Sequence, residues 1–107
     1  MKLVFAIINS DDVSSVSRTL TRSGFSSTRL ATTGGFLLSK NVTLMVGVDE
    51  EKVPAVIDII KEHSHSRKQI ISTATGVGRD FPTGMPVEVN VGGATIFVVD
   101  VEQFQRI

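Results

Sequence analysis

Two amphipathic helical stripes, each preceded by a β-rich run, and two Val-rich runs separated by a glycine pair near the end of the chain predict an α+β fold. Their order, β-α-β-β-α followed by a β-hairpin, is the ferredoxin-like (split βαβ) plan with an added C-terminal β-hairpin. With 107 residues, the chain is read as a single domain spanning 1–107, only just large enough for its own core. Eleven Lys plus Arg balance 11 Asp plus Glu, so the cationic excess on which polyanion binding draws is missing and no DNA or RNA partner is expected. There is no cysteine, which removes a disulfide framework, a thiol nucleophile and a thiolate metal site.

Lys2 to Asn9 is a continuous apolar run rich in Val and Ile and reads as a buried strand. Its apolar core, Leu3 to Ile8, falls short of the about 7–15 residues of a secretory h-region. No stretch approaches the roughly 20 residues of a membrane span, so a cytoplasmic protein without membrane contact is expected. The polar cluster Asn9-Ser10-Asp11-Asp12 caps a helix to Ser23, with Val13, Val16 and Leu20 on one stripe and Gly24 at the left-handed C-terminal position. Phe25 to Thr33 and Val42 to Val48 read as strands around a loop containing Gly34-Gly35, with Val42, Leu44, Val46 and Val48 on one face. Asp49 is expected to cap a second helix, whose Val53, Val56, Ile57 and Ile60 share a face and whose Pro54 sits in the first turn.

From His63 to Pro86 the pattern gives way to Ser, Thr, Gly and Pro around Ile70-Ile71, which predicts a long loop. Val87–Val91, Gly92-Gly93 and Ala94–Asp100 then carry a hairpin signal, and Val101 to Ile107 reads as a short helical turn bearing Phe104. Leu3, Phe5 and Ile7 are apolar, and so are Val4, Ala6 and Ile8; the run Ile96 to Val99 behaves in the same way. An antiparallel sheet with one wet face alternates apolar with polar, so these strands require cover on both sides. Two helices cover only one face, and each large apolar side chain left in water forgoes about 1.5–3 kcal/mol. A homo-oligomer is therefore expected, and a closed ring meets the need best.

The glycine pair Gly34-Gly35 follows a strand and precedes no helix, which sets it apart from phosphate-binding strand–loop–helix motifs; such a loop turns sharply and brings backbone N–H groups close to a ligand. The run LATTGGFL at Leu30–Leu37, Asn41 and Thr43, Val46-Gly47-Val48, and PVEVNVGGATIFVVDVEQF at Pro86–Phe104 together resemble the PII-like cyclic di-AMP receptor family over essentially the whole chain. The resemblance implies a PII-like homotrimer that binds a cyclic dinucleotide, cyclic di-AMP, between subunits, signals to a protein target and is not an enzyme. No cofactor and no metal are implied. Position by position, it implies ligand contacts from the Thr28 hydroxyl, from Gly35, Phe36 and Leu37 by backbone and adenine packing, from the Asn41 amide, from Gly47 by close approach of a base, and from Phe97 as an apolar wall. Read without the resemblance, Phe36, Leu37 and Phe97 suit a core or an interface, Asn41 a turn and Gly47 a bulge.

One departure bears on affinity. Ser26 stands where members commonly carry an arginine, and Ser27 where alanine is usual. An arginine there would meet phosphate through charge-assisted hydrogen bonds, and losing such a bond costs roughly 1.5–3 kcal/mol. Arg29, on the alternate face of a regular strand, is a poor substitute, and Arg106 near the C terminus is the candidate replacement cation. The alternative function is a trimer binding another adenine nucleotide or only a partner protein. A ligand loop at about 33–42 and a long mobile loop at about 64–86, carrying Phe81, are the expected switching elements. His63 and His65 diverge at a helix end, and neither they nor Asp80 and Glu88 show a metal-ligand or nucleophile-base spacing.

Overall fold

In a computed structural model the chain is described over residues 1–30, 41–64, 67–72 and 86–107. The elements are β1 (Lys2–Asn9), α1 (Ser10–Arg22), β2 (Ser27–Leu30), β3 (Asn41–Val48), a 3₁₀ turn (Glu50–Lys52), α2 (Val53–Ser64), β4 (Arg67–Ser72), β5 (Pro86–Val91) and β6 (Ala94–Asp100). Four strands form an antiparallel sheet in the order β2-β3-β1-β6, and β4 and β5 form a separate two-stranded ribbon. Both helices pack on one face of the four-stranded sheet, an α+β arrangement compatible with the ferredoxin-like plan.

The covered face is built by period-2 alternation meeting two helical stripes. Val4, Ala6 and Ile8 of β1 are fully buried with Leu44 and Val46 of β3, against Val16 and Leu20 of α1 and Val56 and Ile60 of α2. Helix α1 begins where the Asn9 side-chain oxygen accepts from the Asp11 N–H at 2.9 Å; Asp11 and Asp12 in its first turn and Arg22 in its last complement the helix dipole. It ends in a Schellman turn: Phe25 N–H donates to the Leu20 carbonyl at 2.9 Å and Gly24 N–H to Thr21 at 3.1 Å. Gly24 has φ +89°, open to glycine without strain, and Phe25 packs back against the core that contains Leu20. The predicted stripe Val13, Val16, Leu20 is the buried stripe.

Four expectations are corrected. Asp49 precedes the 3₁₀ turn and makes no side-chain capping bond, so α2 starts at Val53 rather than on an Asp49 cap. The stretch read as loop from His63 holds the end of α2 and then β4, because Ile70-Ile71 finds its partner in β5, through the pairs Ile70–Glu88 and Ile71–Val87. The added C-terminal hairpin does not form: β5 pairs with β4 and β6 with β1. Gly92 and Gly93 both have positive φ, 78° and 82°, as a tight turn requires, but they make the corner between two sheets. The eight-residue central strand offers β6 a full ladder, with Phe97 opposite Phe5 and Val99 opposite Leu3, and that pairing prevails over the local turn. Residues 101–107 form no helix, and Phe104 is exposed.

The β4–β5 ribbon lies outside the main sheet. The radius of gyration, 17.1 Å, exceeds the about 13 Å of a compact chain of this length, and the longest dimension is 58 Å. Among the described residues no helix is long and apolar enough to cross a membrane.

Candidate functional site: the open sheet face and its end cleft

Antiparallel residues directly opposite one another share a face of the sheet. Thr28 faces Met45, Met45 faces Phe5, and Phe5 faces Phe97, so one row crosses all four strands in the order β2-β3-β1-β6. This row lies on the face turned away from Val4, Ala6 and Ile8 and therefore away from both helices. Asn41 and Gly47 have the same parity as Met45 along β3. All four described candidates, Thr28, Asn41, Gly47 and Phe97, thus stand on the open face. Gly35, Phe36 and Leu37 lie outside the described residues, as does most of the expected ligand loop; Asn41 and Val42, assigned to its end, already belong to β3.

The register spreads these candidates out. Gly47 lies six residue steps along the strand from Asn41, about 20 Å at the rise of an extended chain. Asn41 pairs with Asn9 at one end of the sheet, and Gly47 pairs with Leu3 near the other. Between them the surface is mostly apolar, interrupted by Thr43 and Thr95: Leu3, Phe5, Ile7 and Met45 are half-buried, and Phe97 and Val99 retain 47% and 42% exposure. Exposed apolar surface of this kind sets the face apart from the polar side that a two-layer antiparallel sheet turns to water.

At the Gly47 end the chain forms a cleft of about 260 Å³, lined by Met1, Gly24, Phe25, Ser26, Gly47, Val48, Asp49 and Lys52. A Cβ at Gly47 would meet nothing within 4 Å, so the backbone there is open to an incoming group. Ser26, the residue in place of the expected arginine, lines this cleft with Gly47. Neither proposed substitute cation does. Arg29 pairs with Leu44 and belongs to the helix side, and Arg106 is exposed in the irregular tail. Among the described residues the cation that does line the cleft is Lys52, which sequence reasoning missed: the β2–β3 pairing brings Ser26 to the cleft that Lys52 also lines, and nothing local signals that proximity.

A second unanticipated contact joins the helices. Ser15 Oγ lies 2.9 Å from His63 Nδ1, Thr19 Oγ1 lies 3.3 Å from Nε2, and the Thr19 hydroxyl donates to the Ser15 carbonyl at 2.9 Å. A serine beside an imidazole is the beginning of a nucleophile–base pair, but here the second ring nitrogen meets a hydroxyl where the hydrolase arrangement needs a carboxylate. The cluster is part-buried between α1 and α2, remote from the open face, and acts as a polar tie between them. Among the described residues no three His, Asp or Glu side chains gather to hold a metal ion.

The titration shifts belong to the sheet end. Lys2 donates to Asp100 on the neighbouring strand and lies 3.8 Å from Glu50. The hydrogen bond from Lys2, followed by its charge, lowers the Asp100 carboxyl below its ordinary value, and the bond to Asp100 raises Lys2.

The family model described as cyclic-di-AMP receptor matches residues 1–107. The chain is also similar to a crystal structure of a functionally unknown protein from Pediococcus pentosaceus ATCC 25745, at 40% identity and a TM-score of 0.76, over 99% of this chain and 96% of that one.

Proposed function

Because the chain belongs to the cyclic-di-AMP receptor family, we propose that it is a cytoplasmic, PII-like homotrimer that binds cyclic di-AMP between subunits and signals to a protein target without catalysis. The observation that carries this reading is the open sheet face, apolar across four strands and bearing Thr28, Asn41, Gly47 and Phe97 together. A cleft of about 260 Å³ falls below the about 300–1,000 Å³ of sites that enclose a drug-sized ligand, which supports a site that a second subunit completes. Thr28 supplies a hydroxyl, Asn41 an amide, Gly47 the close approach of a base and Phe97 an apolar wall, with Gly35, Phe36 and Leu37 completing the pocket. Ligand shifts the populations of the segments at about 33–42 and 64–86, which the target reads, and this requires that ligand favour one state of those segments. No cofactor takes part.

Isothermal titration calorimetry with cyclic di-AMP, and with cyclic di-GMP and ATP as controls, tests the reading. The expected result is one cyclic di-AMP per subunit. Gly47→Leu is expected to leave the fold intact, because a Cβ at this exposed strand position meets nothing within 4 Å, while the larger side chain at the cleft weakens binding by about tenfold to a hundredfold or more. Absence of heat with cyclic di-AMP at two temperatures overturns the ligand and favours the second reading, a trimer for another adenine nucleotide or for a protein alone. That reading draws on Ser26, which brings a neutral hydroxyl to the cleft where an arginine would bring a charge.

A further inference from the structure

We infer that Lys52 is the residue that meets the anionic phosphate of the bound nucleotide, taking the charge role that Ser26 leaves vacant; this rests on the receptor reading above. Three observations converge on it. Lys52, Ser26 and Gly47 line one cleft, although they come from the 3₁₀ turn, the approach to β2 and the end of β3. Among the described residues none of the three acids that precede Lys52 forms an ion pair with it: Glu50 lies 3.8 Å from Lys2, and neither the adjacent Glu51 nor Asp49, which shares the cleft, pairs with the Lys52 ammonium. The lining also includes Gly24 beside Gly47, two positions where no Cβ stands between an incoming group and the backbone and where an added Cβ would meet nothing within 4 Å.

The chemistry follows from that arrangement. An ammonium on a four-carbon stem is a mobile point charge with three donors, suited to a phosphate oxygen whose position is fixed by the rest of the ligand. The Ser26 hydroxyl adds a neutral hydrogen bond, and glycine walls admit the sugar-phosphate backbone closely. Lys52 lies on an exposed turn outside the core, so its charge is not required for folding. It is a ligand-positioning residue whose removal affects binding and leaves stability largely unchanged.

The test is calorimetry of cyclic di-AMP and, separately, of ATP on the full chain and on Lys52→Met, Lys52→Arg and the double variant Lys52→Met with Ser26→Arg. Lys52→Met is expected to weaken cyclic di-AMP binding about tenfold or more, with Lys52→Arg close to the unsubstituted protein. Affinity of the unsubstituted protein falls as salt is raised, and that of Lys52→Met falls less. Ser26→Arg restores binding in the Lys52→Met background, because both positions open on the same cleft; a purely structural role for Lys52 would not be rescued from position 26. Cyclic di-AMP affinity unchanged in Lys52→Met, or not restored by Ser26→Arg, overturns the inference while the receptor reading stands. If the unsubstituted protein ignores cyclic di-AMP, the receptor reading fails; ATP binding that Lys52→Met abolishes then still supports Lys52 as the phosphate contact. ATP binding indifferent to Lys52, or no binding of either nucleotide, overturns it.

Discussion

The two faces of the four-stranded sheet use the same strands for different ends. On β1, Val4, Ala6 and Ile8 are wholly buried under α1 and α2, while Leu3, Phe5 and Ile7, equally apolar, remain half-buried on a face that no described helix covers. On β3 the contrast is sharper: Leu44 and Val46 sit in the core, and the intervening positions are Thr43, Met45 and an exposed Gly47. One face accounts for why the chain folds. The other has apolar surface in excess of what the fold needs, and the described residues expected to meet ligand, Thr28, Asn41, Gly47 and Phe97, all stand on it, beside further polar positions at Asn9, Thr43 and Thr95.

Substituting neighbours of opposite parity separates the two roles. Leu44→Ala removes a core side chain and lowers unfolding free energy by about 2–5 kcal/mol in denaturant titration. Met45→Ala, one residue later, costs clearly less at protein concentrations too low for assembly. Equal losses under those conditions would mean that the open face already belongs to the core of a single chain.

The second contrast bears on the subunit interface proposed for the open face. Phe97→Asp places a carboxylate at the β6 end of the four-strand row, with Phe5 directly opposite. Burying it in a subunit interface forgoes about 1.5–3 kcal/mol of apolar burial per chain and adds the desolvation of a charge. The expected outcome in sedimentation equilibrium is a monomer with unchanged far-ultraviolet dichroism. A variant that still assembles would place the subunit contact elsewhere, for instance along the free edge of β6, which pairs with β1 on one side only.

What the sequence disclosed follows the range of the interactions involved. Both helices were legible because Val13-Val16-Leu20 and Val56-Ile60 repeat at helical spacing, and the end of α1 because Gly24 alone suits φ +89° there. The open face was legible because β1 is apolar at odd and even positions alike. The hairpin was misread because a positive-φ glycine pair serves equally well as a turn within one sheet or a corner between two, and only β1, some ninety residues away in the chain, decides between them. β4 was missed because Ile70-Ile71 is too short a signal without its partner in β5. Lys52 in the cleft and Ser15 against His63, 48 positions apart, are products of packing with no local trace.

The smallest effect concerns how β6 is held at the end of β1. Lys2 and Asp100 are register partners on the helix-side parity, and their bond ties the edge strand to the central one. Asp100 is held below its ordinary value of 3.8 by the hydrogen bond and charge of Lys2, so its contribution to stability is present above that value and is lost as pH falls through the lowered one. Lys2 is held above its ordinary value of 10.5 by Asp100, so its contribution is complete below 10.5 and is lost as pH rises through the raised value. Lys2→Met therefore lowers Tm slightly between those limits, the difference closing in acid once Asp100 is protonated and shrinking in high salt, because the pair is exposed and screened. Thermal melts of both proteins across pH measure it. A Tm difference that persists unchanged in acid would assign the loss to Lys2's aliphatic stem packing at the sheet end, and β6 would then be held by its ladder and apolar contacts alone.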